Sequence, residues 1–201
     1  MWLTNVTLHT LILASGSPRR KELLTGLSLD FSVLVSDVDE TVPSTLPPGA
    51  WVEELAERKA RAARGQLDSG TEALVIAADT IVVLGGQVFG KPTTAAHAKE
   101  MLQSLQGRTH EVYTGLCVLD AETGRMQLGH TRTAVKLAPL SADTIARYVA
   151  SGEPMDKAGA YAIQGIGATL VESIDGDYFT VVGLPLFLLG RYLAAFGQPI
   201  L

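Results

Sequence analysis

The sequence predicts an α/β protein built around a mixed β-sheet flanked by helices, and two observations lead to this prediction. Apolar runs typical of strands alternate along the chain with segments that have helical spacing. Two glycine-containing turn signals also join neighbouring strands as hairpins, which an all-parallel sheet does not contain. The chain has 201 residues and no internal repeat, so a single domain over residues 1–201 is expected.

The first third of the chain predicts two strands and two helices. Residues 11–14 form a short apolar strand, which a Ser-Gly-Ser-Pro loop ends. In the helix that follows, Ser17 is expected at the N-cap and Pro18 at the first helical position. Residues 31–35 predict a second strand, and after a Pro-Pro-Gly loop a second helix contains Trp51 and Ala62.

The remaining elements follow from the same patterns. Ala73–Leu84 is almost wholly apolar and rich in β-branched residues, so it is a predicted strand, and Gly85-Gly86 predicts a hairpin turn into Gln87–Phe89. The other predicted elements are a helix over Ala95–Leu105, strands over residues 111–119 and Met126–Leu137, a helix over Ala142–Ala150 capped by Ser141, strands over residues 168–174 and Tyr178–Val182 around an Asp-Gly-Asp hairpin turn, and a final helix from Pro185 to about residue 196.

Composition excludes several classes of protein. A hydrophobic content of 47% with 18% charged residues excludes a disordered chain, and 20 glycines and 9 prolines without a period exclude a fibrous one. A net charge of −5 argues against a protein that coats nucleic acid. We expect a cytoplasmic protein without a membrane partner, because no apolar stretch has transmembrane length and no basic segment precedes the first apolar run. The single cysteine, Cys117, agrees with a reducing compartment.

The segment Ser15-Gly16-Ser17-Pro18-Arg19-Arg20 has the composition of an anion-binding loop. Small residues between a strand and a helix let backbone N–H groups approach an anion, which the helix N-terminus also attracts. Two arginines in a first helical turn oppose the helix dipole unless an anion lies nearby. The alternative is a capped helix with two solvated arginines. A Walker-type NTPase is disfavoured, because the Gly-Lys-Ser/Thr ending is missing.

Asp79 is the residue that points most directly to chemistry. A carboxylate inside an apolar run costs several kcal/mol if it is buried without a partner, so Asp79 must face a cleft, a cation or a metal. Such a carboxylate is a candidate general base or metal ligand. The alternative is an Asx-turn at the start of a loop.

Other polar residues allow two interpretations each. Lys91 lies between Gly90 and Pro92, a restricted backbone that suits a charge aimed at phosphate, although a solvated loop lysine has the same sequence. Glu40 and Lys59 are, in isolation, ordinary surface charges. The charged, glycine-rich residues 152–167 predict either a ligand loop or a long surface loop. The spacing of the four histidines does not predict a zinc site.

Taken together, these segments resemble the Maf family of nucleoside triphosphate pyrophosphatases. The match runs from residue 11 to the last helix and leaves residues 1–10 as an N-terminal extension. Several separate motifs occur in the family order: LASGSPRRKELL at residues 13–24, Ala78-Asp79-Thr80, Gly90-Lys91-Pro92, GEPMDKAGAY at residues 152–161, Ile163-Gln164-Gly165 and Val182-Gly183-Leu184-Pro185.

The resemblance implies a two-lobed fold with a long mixed sheet and a central cleft. It implies hydrolysis of a nucleoside triphosphate between the α- and β-phosphates, giving the nucleoside monophosphate and pyrophosphate, with a divalent cation such as Mg or Mn. Asp79-Thr80 and residues 161–165 resemble the branch that acts on dTTP and UTP, although Ala162 stands where that branch usually has glycine. Homodimers are frequent in the family, but no residue here indicates one.

The resemblance also implies a role for each matched residue. Asp79 is the base that activates water, and Glu40 is the acidic cleft residue that positions water or metal. The residues implied at the phosphates are Ser15, Arg20, Lys59 and Lys91, and those implied in base choice are Arg19, Thr80 and Gln164. The metal ligands stay unassigned.

Two alternatives to this enzyme remain. One is a nucleotide-binding regulator without catalysis, since the family name is tied to septum formation in bacteria. The other is a pyrophosphatase that removes purine nucleotides such as ITP. A binder would need the basic cleft but not Asp79.

Overall fold

A computed structural model describes residues 9–201, so most of the N-terminal extension expected at residues 1–10 lies outside the described residues. The chain forms two compact units. The first contains the described residues up to Asp79, together with Gly115–His130 and Gly183–Leu201. The second contains Thr80–Thr114 and Thr131–Val182.

The predicted α/β class with a mixed sheet is confirmed. The strands run in the order β2-β1-β3-β5-β6-β7, with β4 paired to β3. Strand β1 is parallel to β2 and β3, whereas β4 is antiparallel to β3 and β7 is antiparallel to β6. The bounds are Thr10–Leu13 for β1, Phe31–Val33 for β2, Ala73–Leu84 for β3, Gln87–Phe89 for β4, Thr109–Asp120 for β5, Met126–Leu137 for β6 and Val171–Asp175 for β7.

Six α-helices are present in the described residues. They are α1 (Pro18–Gly26), α2 (Pro48–Arg64), α3 (Ala95–Leu105), α4 (Ala142–Ala150), α5 (Tyr178–Val182) and α6 (Leu186–Ala195). Three short 3₁₀ segments occupy the glycine-rich stretch, over Glu153–Asp156, Ala158–Ala160 and Gly165–Leu170. None of the helices in this described part is both long and apolar enough to cross a membrane.

The core of the first unit explains why β1 and the start of β3 are continuous apolar runs. Both faces of these strands are covered. One face packs against residues that include Leu24 and Leu189, and the other packs against a stripe of alanines on α2, namely Ala56, Ala60 and Ala63. The small side chains of that stripe let α2 approach the sheet closely. The approach is close at Gly115 of β5, because a Cβ there would collide with the backbone carbonyl of Val52 in α2.

The second unit has its own core. Leucines of α3, with Val135 and Leu137 of β6 and Ile145 of α4, form one buried cluster with Tyr148 and Tyr161. This cluster supports the 3₁₀ segments, whose side chains carry part of the candidate site.

The hairpin predicted at Gly85-Gly86 is confirmed. Both glycines have positive φ, +57° and +84°, as a two-residue hairpin turn of this kind requires, and they join β3 to β4.

The hairpin predicted around Asp175-Gly176-Asp177 is wrong. Residues 165–170 form a 3₁₀ segment, and Tyr178–Val182 is a helix rather than a strand. The Asp177 carboxylate accepts hydrogen bonds from the Thr180 N–H at 2.7 Å and the Thr180 hydroxyl at 2.8 Å. This interaction starts a helical turn, so Asp177 acts as a helix cap and not as a hairpin residue.

The start predicted for α1 is confirmed in position, with Ser17 at the N-cap and Pro18 as the first helical residue, but not in its hydrogen bonding. Ser17 occupies the N-cap position, but its side chain makes no capping hydrogen bond. Ser141 does cap α4 as predicted, because its side chain accepts a hydrogen bond from the Thr144 N–H. The N–H groups in the first turn of α1 therefore receive no hydrogen bond from the Ser17 side chain, contrary to what its N-cap position suggested.

Candidate active site

Lys59 holds two carboxylates in the first unit. Its Nζ lies 2.6 Å from Asp79 Oδ1 and 2.7 Å from Glu40 Oε1. The side chains of Lys59 and Asp79 are largely buried, at 15% and 12% exposure, whereas that of Glu40 is 63% exposed. Helix α2 supplies the lysine, β3 supplies the aspartate, and the segment between β2 and α2 supplies the glutamate. Of the cleft, cation or metal that the sequence allowed beside Asp79, the structure thus shows a cation, Lys59.

Only one oxygen of the Asp79 carboxylate is used by this pair. Within the described residues Oδ2 makes no hydrogen bond, and it is not one of the buried polar atoms that lack a partner, so it keeps some exposure to solvent. Asp79 lies inside β3, which excludes the Asx-turn alternative. Oδ2 is an open acceptor that a water molecule can reach.

Arg20 ties the loop before α1 to the strand that carries Asp79. Its Nε donates to the Gly183 carbonyl at 2.7 Å, and its Nη1 donates to the Ala78 carbonyl at 2.8 Å and to Ser15 Oγ at 3.1 Å. Burial lowers the pKa of the Arg20 guanidinium from its ordinary value, and the charge of Asp79 opposes that shift. Arg20 thus contributes both a positive charge and the fixed position of the loop.

Ser15 is oriented as a hydrogen-bond donor. Its Oγ accepts hydrogen bonds from the Ser17 N–H at 3.2 Å and from Arg20 Nη1 at 3.1 Å. No acceptor for its hydroxyl proton is found among the described residues, so that proton can be donated to an anion. Arg19 lies half-buried in the first turn of α1, which contains no acidic residue.

The other predicted site residues belong to the second unit. Thr80 follows Asp79 in β3, and its hydroxyl lies 2.9 Å from that of Thr114. Lys91 is exposed and has no partner among residues 9–201. The chain at Lys91 is fixed by its neighbour, because the Gly90 carbonyl accepts a hydrogen bond from the Gly159 N–H at 3.0 Å.

Gln164 lies in a loop that is clamped on both sides. The carboxylate of Glu153 accepts hydrogen bonds from the N–H groups of Ile166 at 3.0 Å and Gly167 at 2.8 Å. The Tyr148 hydroxyl accepts one from the Ala162 N–H at 3.0 Å. The side chain of Gln164 is half-buried and makes no capping hydrogen bond to the 3₁₀ segment that follows it.

The glycines of this loop are required by the clamp. Gly165 has φ +63°, and a Cβ on it would collide with the Glu153 carboxylate. A Cβ on Gly167 would collide with the Ala162 carbonyl and lie 2.6 Å from the Tyr148 hydroxyl. The loop therefore has one backbone path that keeps both hydrogen bonds to Glu153.

Three supporting residues were not predicted from the sequence. Glu153 stands in the glycine-rich residues 152–167, but nothing in that stretch of sequence indicates which N–H groups its carboxylate binds. Tyr148 and Thr114 have no sequence signal, since a tyrosine in an amphipathic helix and a threonine in an apolar strand are usual there. Their roles follow only from the fold.

Comparison with known proteins gives consistent results. A family model described as Maf-like protein matches residues 10–196. The chain is 55% identical to a dTTP/UTP pyrophosphatase of Moorella thermoacetica over 187 residues, 93% of this chain and 95% of that protein. It is 52% identical to a dTTP/UTP pyrophosphatase of Desulforamulus reducens over 193 residues, 96% of this chain and 100% of that protein. The solved structure of the Staphylococcus aureus Ham1 protein has a TM-score of 0.49 at 17% identity, covering 81% of this chain and 79% of that one.

Proposed function

Because this chain belongs to the family of Maf-like proteins, we propose that it is a nucleoside triphosphate pyrophosphatase that hydrolyses dTTP and UTP to the nucleoside monophosphate and pyrophosphate. Relatives named for that activity match nearly the whole of this chain and of their own length. The observation in this molecule that carries the proposal is the Asp79 carboxylate, with one oxygen held by Lys59 and the other open.

Asp79 is proposed as the general base. Oδ2 accepts a proton from a water molecule as the water oxygen forms a bond to the α-phosphorus. The bond from that phosphorus to the oxygen bridging the α- and β-phosphates then breaks, and pyrophosphate leaves with the electron pair. Lys59 on Oδ1 holds the carboxylate in one orientation, so that Oδ2 stays directed at the water.

Phosphate binding is assigned to donors that remain available. Lys59 has three N–H groups and uses two on the carboxylates, which leaves one for a phosphate oxygen. Ser15 offers its hydroxyl proton, and Lys91 offers an ammonium that has no partner among the described residues. Arg20 is already bonded to two backbone carbonyls, so its main contribution is to hold the loop and to place a positive charge near Asp79.

The charge of the first-unit cluster fits a substrate that carries a divalent cation. The carboxylates of Asp79 and Glu40 balance the cations of Lys59 and Arg20, so Arg19 adds the one remaining positive charge of this group, which is less than the negative charge of a triphosphate. Magnesium in such sites takes one or two carboxylates together with substrate phosphates and water. The exposed carboxylate of Glu40 fits that requirement and would hold the ion. When bound, it would neutralise charge on the phosphate oxygens.

The pyrimidine preference is assigned to Gln164, Thr80 and Arg19. Uracil and thymine present an acceptor at O4 where cytosine presents an amino donor, and the Gln164 amide, which carries an N–H donor, is assigned to O4. The amide makes no capping hydrogen bond of its own, and the clamped loop fixes its backbone.

The test is pyrophosphate release measured across dTTP, UTP, CTP and ITP, with and without EDTA. We expect pyrophosphate and the monophosphate from dTTP and UTP, and loss of the activity in EDTA. Release of orthophosphate and the nucleoside diphosphate would show that the bond between the β- and γ-phosphates is cleaved instead. A preference for ITP would support the purine alternative, and tight binding without any product would support the non-catalytic regulator.

A further inference from the structure

We propose that Thr114 is a positioning residue for base selection, because it fixes the direction in which the Thr80 hydroxyl makes its hydrogen bonds. This inference rests on the proposed pyrophosphatase activity. Two linked hydrogen bonds in the second unit support it: one joins the Thr80 hydroxyl of β3 to the Thr114 hydroxyl of β5, and the other joins the Thr114 hydroxyl to the Thr180 backbone carbonyl of α5.

The direction of each hydrogen bond in this chain follows from which atoms can donate. The Thr114 hydroxyl lies 2.7 Å from the Thr180 carbonyl, and a carbonyl only accepts, so Thr114 uses its single proton there. The Thr80 and Thr114 hydroxyls are 2.9 Å apart, and Thr114 has no second proton, so Thr80 is the donor. Toward any further partner, the Thr80 oxygen can therefore act only as an acceptor.

The far end of the chain is anchored by Asp177. Its Oδ2 accepts hydrogen bonds from both the N–H and the hydroxyl of Thr180, so the Thr180 hydroxyl proton is also committed. Thr131, whose hydroxyl is 2.7 Å from that of Thr180, must then donate to it. Thr114 and Thr180 are fully buried, so water does not reach them to accept or donate in their place. Thr180 is thus held in place, and with it the backbone carbonyl that accepts the Thr114 proton.

A Thr80 oxygen that can only accept a hydrogen bond distinguishes uracil and thymine from cytosine. The pairing edge of uracil or thymine has one donor, N3–H, where cytosine has an unprotonated N3 that only accepts. The Gln164 amide can rotate by half a turn to match either base, so it selects weakly by itself. The Thr80 oxygen cannot follow such a change while Thr114 holds its proton. It accepts from N3–H of UTP and dTTP, and it faces a lone pair of CTP.

The experiment compares Thr114→Val with Thr114→Ser, using kcat/KM for UTP and for CTP together with the melting temperature. Valine has the shape of threonine but leaves the Thr80 proton without an acceptor, so Thr80 can donate to cytosine N3. We expect the preference for UTP over CTP to fall about tenfold, which corresponds to one hydrogen bond. Thr114→Ser keeps the hydroxyl and should retain the parental preference.

Equal losses for UTP and CTP in Thr114→Val, or the same preference in Thr114→Val and Thr114→Ser, would mean that Thr114 has only a structural role. A parent enzyme that hydrolyses CTP as well as UTP would also overturn the inference, while the pyrophosphatase function would stand. A parent that releases no pyrophosphate from UTP would overturn both.

A second variant covers the case in which Thr114→Val does not fold. Thr80 is only half-buried, so Thr80→Val is expected to fold. It removes the acceptor itself, and kcat/KM for UTP should fall by about threefold to tenfold while that for CTP stays unchanged or rises. A loss of equal size for both nucleotides, or none for UTP, contradicts the inference.

Discussion

Lys59 Nζ lies 2.6 Å from Asp79 Oδ1, and both side chains are largely withdrawn from solvent. The carboxylate proposed as the base and the ammonium proposed at the phosphates therefore act as one ion pair before substrate binds. Glu40 reaches the same ammonium from a more exposed position. Substitutions in this group should thus change stability as well as rate.

Asp79→Asn should nearly abolish turnover while nucleotide binding survives. Asparagine has the same shape, and its carbonyl can still accept from Lys59, but it cannot take a proton from water. Loss of a general base typically costs about 10²–10⁴-fold in rate, or about 3–5 kcal/mol of barrier. Pyrophosphate release and nucleotide binding are measured together, with the exposed Asp143→Asn as control. A variant that keeps more than about a tenth of the rate would exclude Asp79 as the base.

Lys59→Met should destabilise the fold, because it leaves the Asp79 carboxylate buried without its partner. Breaking a buried ion pair by removing one member costs about 3 kcal/mol or more. In urea unfolding, the double variant Lys59→Met/Asp79→Asn should lose less free energy of unfolding than the two single variants added together. Lys59→Arg, which keeps the charge, should stay close to the parent. Additive single losses would mean that the two groups do not stabilise each other.

Gln164→Glu should weaken catalysis most for dTTP and UTP. The substitution replaces the amide donor by a second acceptor, which repels O4 of these bases. We expect kcat/KM for dTTP to fall about 10–100-fold, and that for CTP to fall less, since CTP has a donor at this edge. Gln103→Glu adds the same negative charge on the exposed face of α3 and serves as the control. A uniform loss for all nucleotides would show that Gln164 is structural.

Glu153→Gln should loosen the loop that carries Gln164. A glutamine side chain has one accepting oxygen, so it cannot bind the N–H groups of both Ile166 and Gly167 as the carboxylate does. We expect kcat/KM for dTTP to fall about tenfold and the preference for dTTP over CTP to shrink. Glu172→Gln, which removes an exposed ion pair with Lys136, is the matched control. If only the melting temperature changed, the clamp would have no part in base selection.

His110 should make the stability of the protein depend on pH. Burial lowers the pKa of His110 to about 4 from an ordinary value of 6.5. Its Nε2 lies 2.8 Å from the Tyr161 hydroxyl, while Nδ1 has no hydrogen-bond partner in the described residues. The folded state thus favours the neutral ring, and its contribution is complete above pH 6.5. It should decline as the pH falls from 6.5 to 4, by about 3 kcal/mol in total.

This decline can be isolated by comparing the parent with His110→Phe, which keeps an aromatic ring against Tyr161 but does not titrate. The free energy of unfolding is measured between pH 7 and pH 4. The parent should lose stability more steeply than the variant over that range. Parallel curves would show that His110 does not contribute to acid sensitivity.

Local patterns were sufficient for most of the fold. The apolar run Ala73–Leu84 and the turn Gly85-Gly86 predicted β3 and its hairpin, because strand preference and turn geometry agree there. At Tyr178–Val182 they disagree. Aromatic and β-branched residues favour a strand, but the Asp177 carboxylate accepts a hydrogen bond from the Thr180 N–H in the first turn of a helix, and the helix forms.

The sequence indicated which residues were candidates for the site, but not which of them contact each other. An aspartate in an apolar strand requires a partner, yet only the packing of α2 shows that Lys59 is that partner, because the two are 20 positions apart. Thr114 could not be found from the sequence, since its role depends on where the Thr180 carbonyl lies.

The contact between Gly115 and Val52 determines how this protein can be engineered for stability. Exchanging glycine for alanine often raises stability by about 0.4–1 kcal/mol, because it restricts the unfolded chain. Gly26 allows such a change, since a methyl group there would meet no atom within 4 Å. At Gly115 a methyl group would push against the backbone of α2, two turns before Lys59. A thermostabilised variant should therefore leave this glycine in place, because its small size sets the position of the helix that carries Lys59.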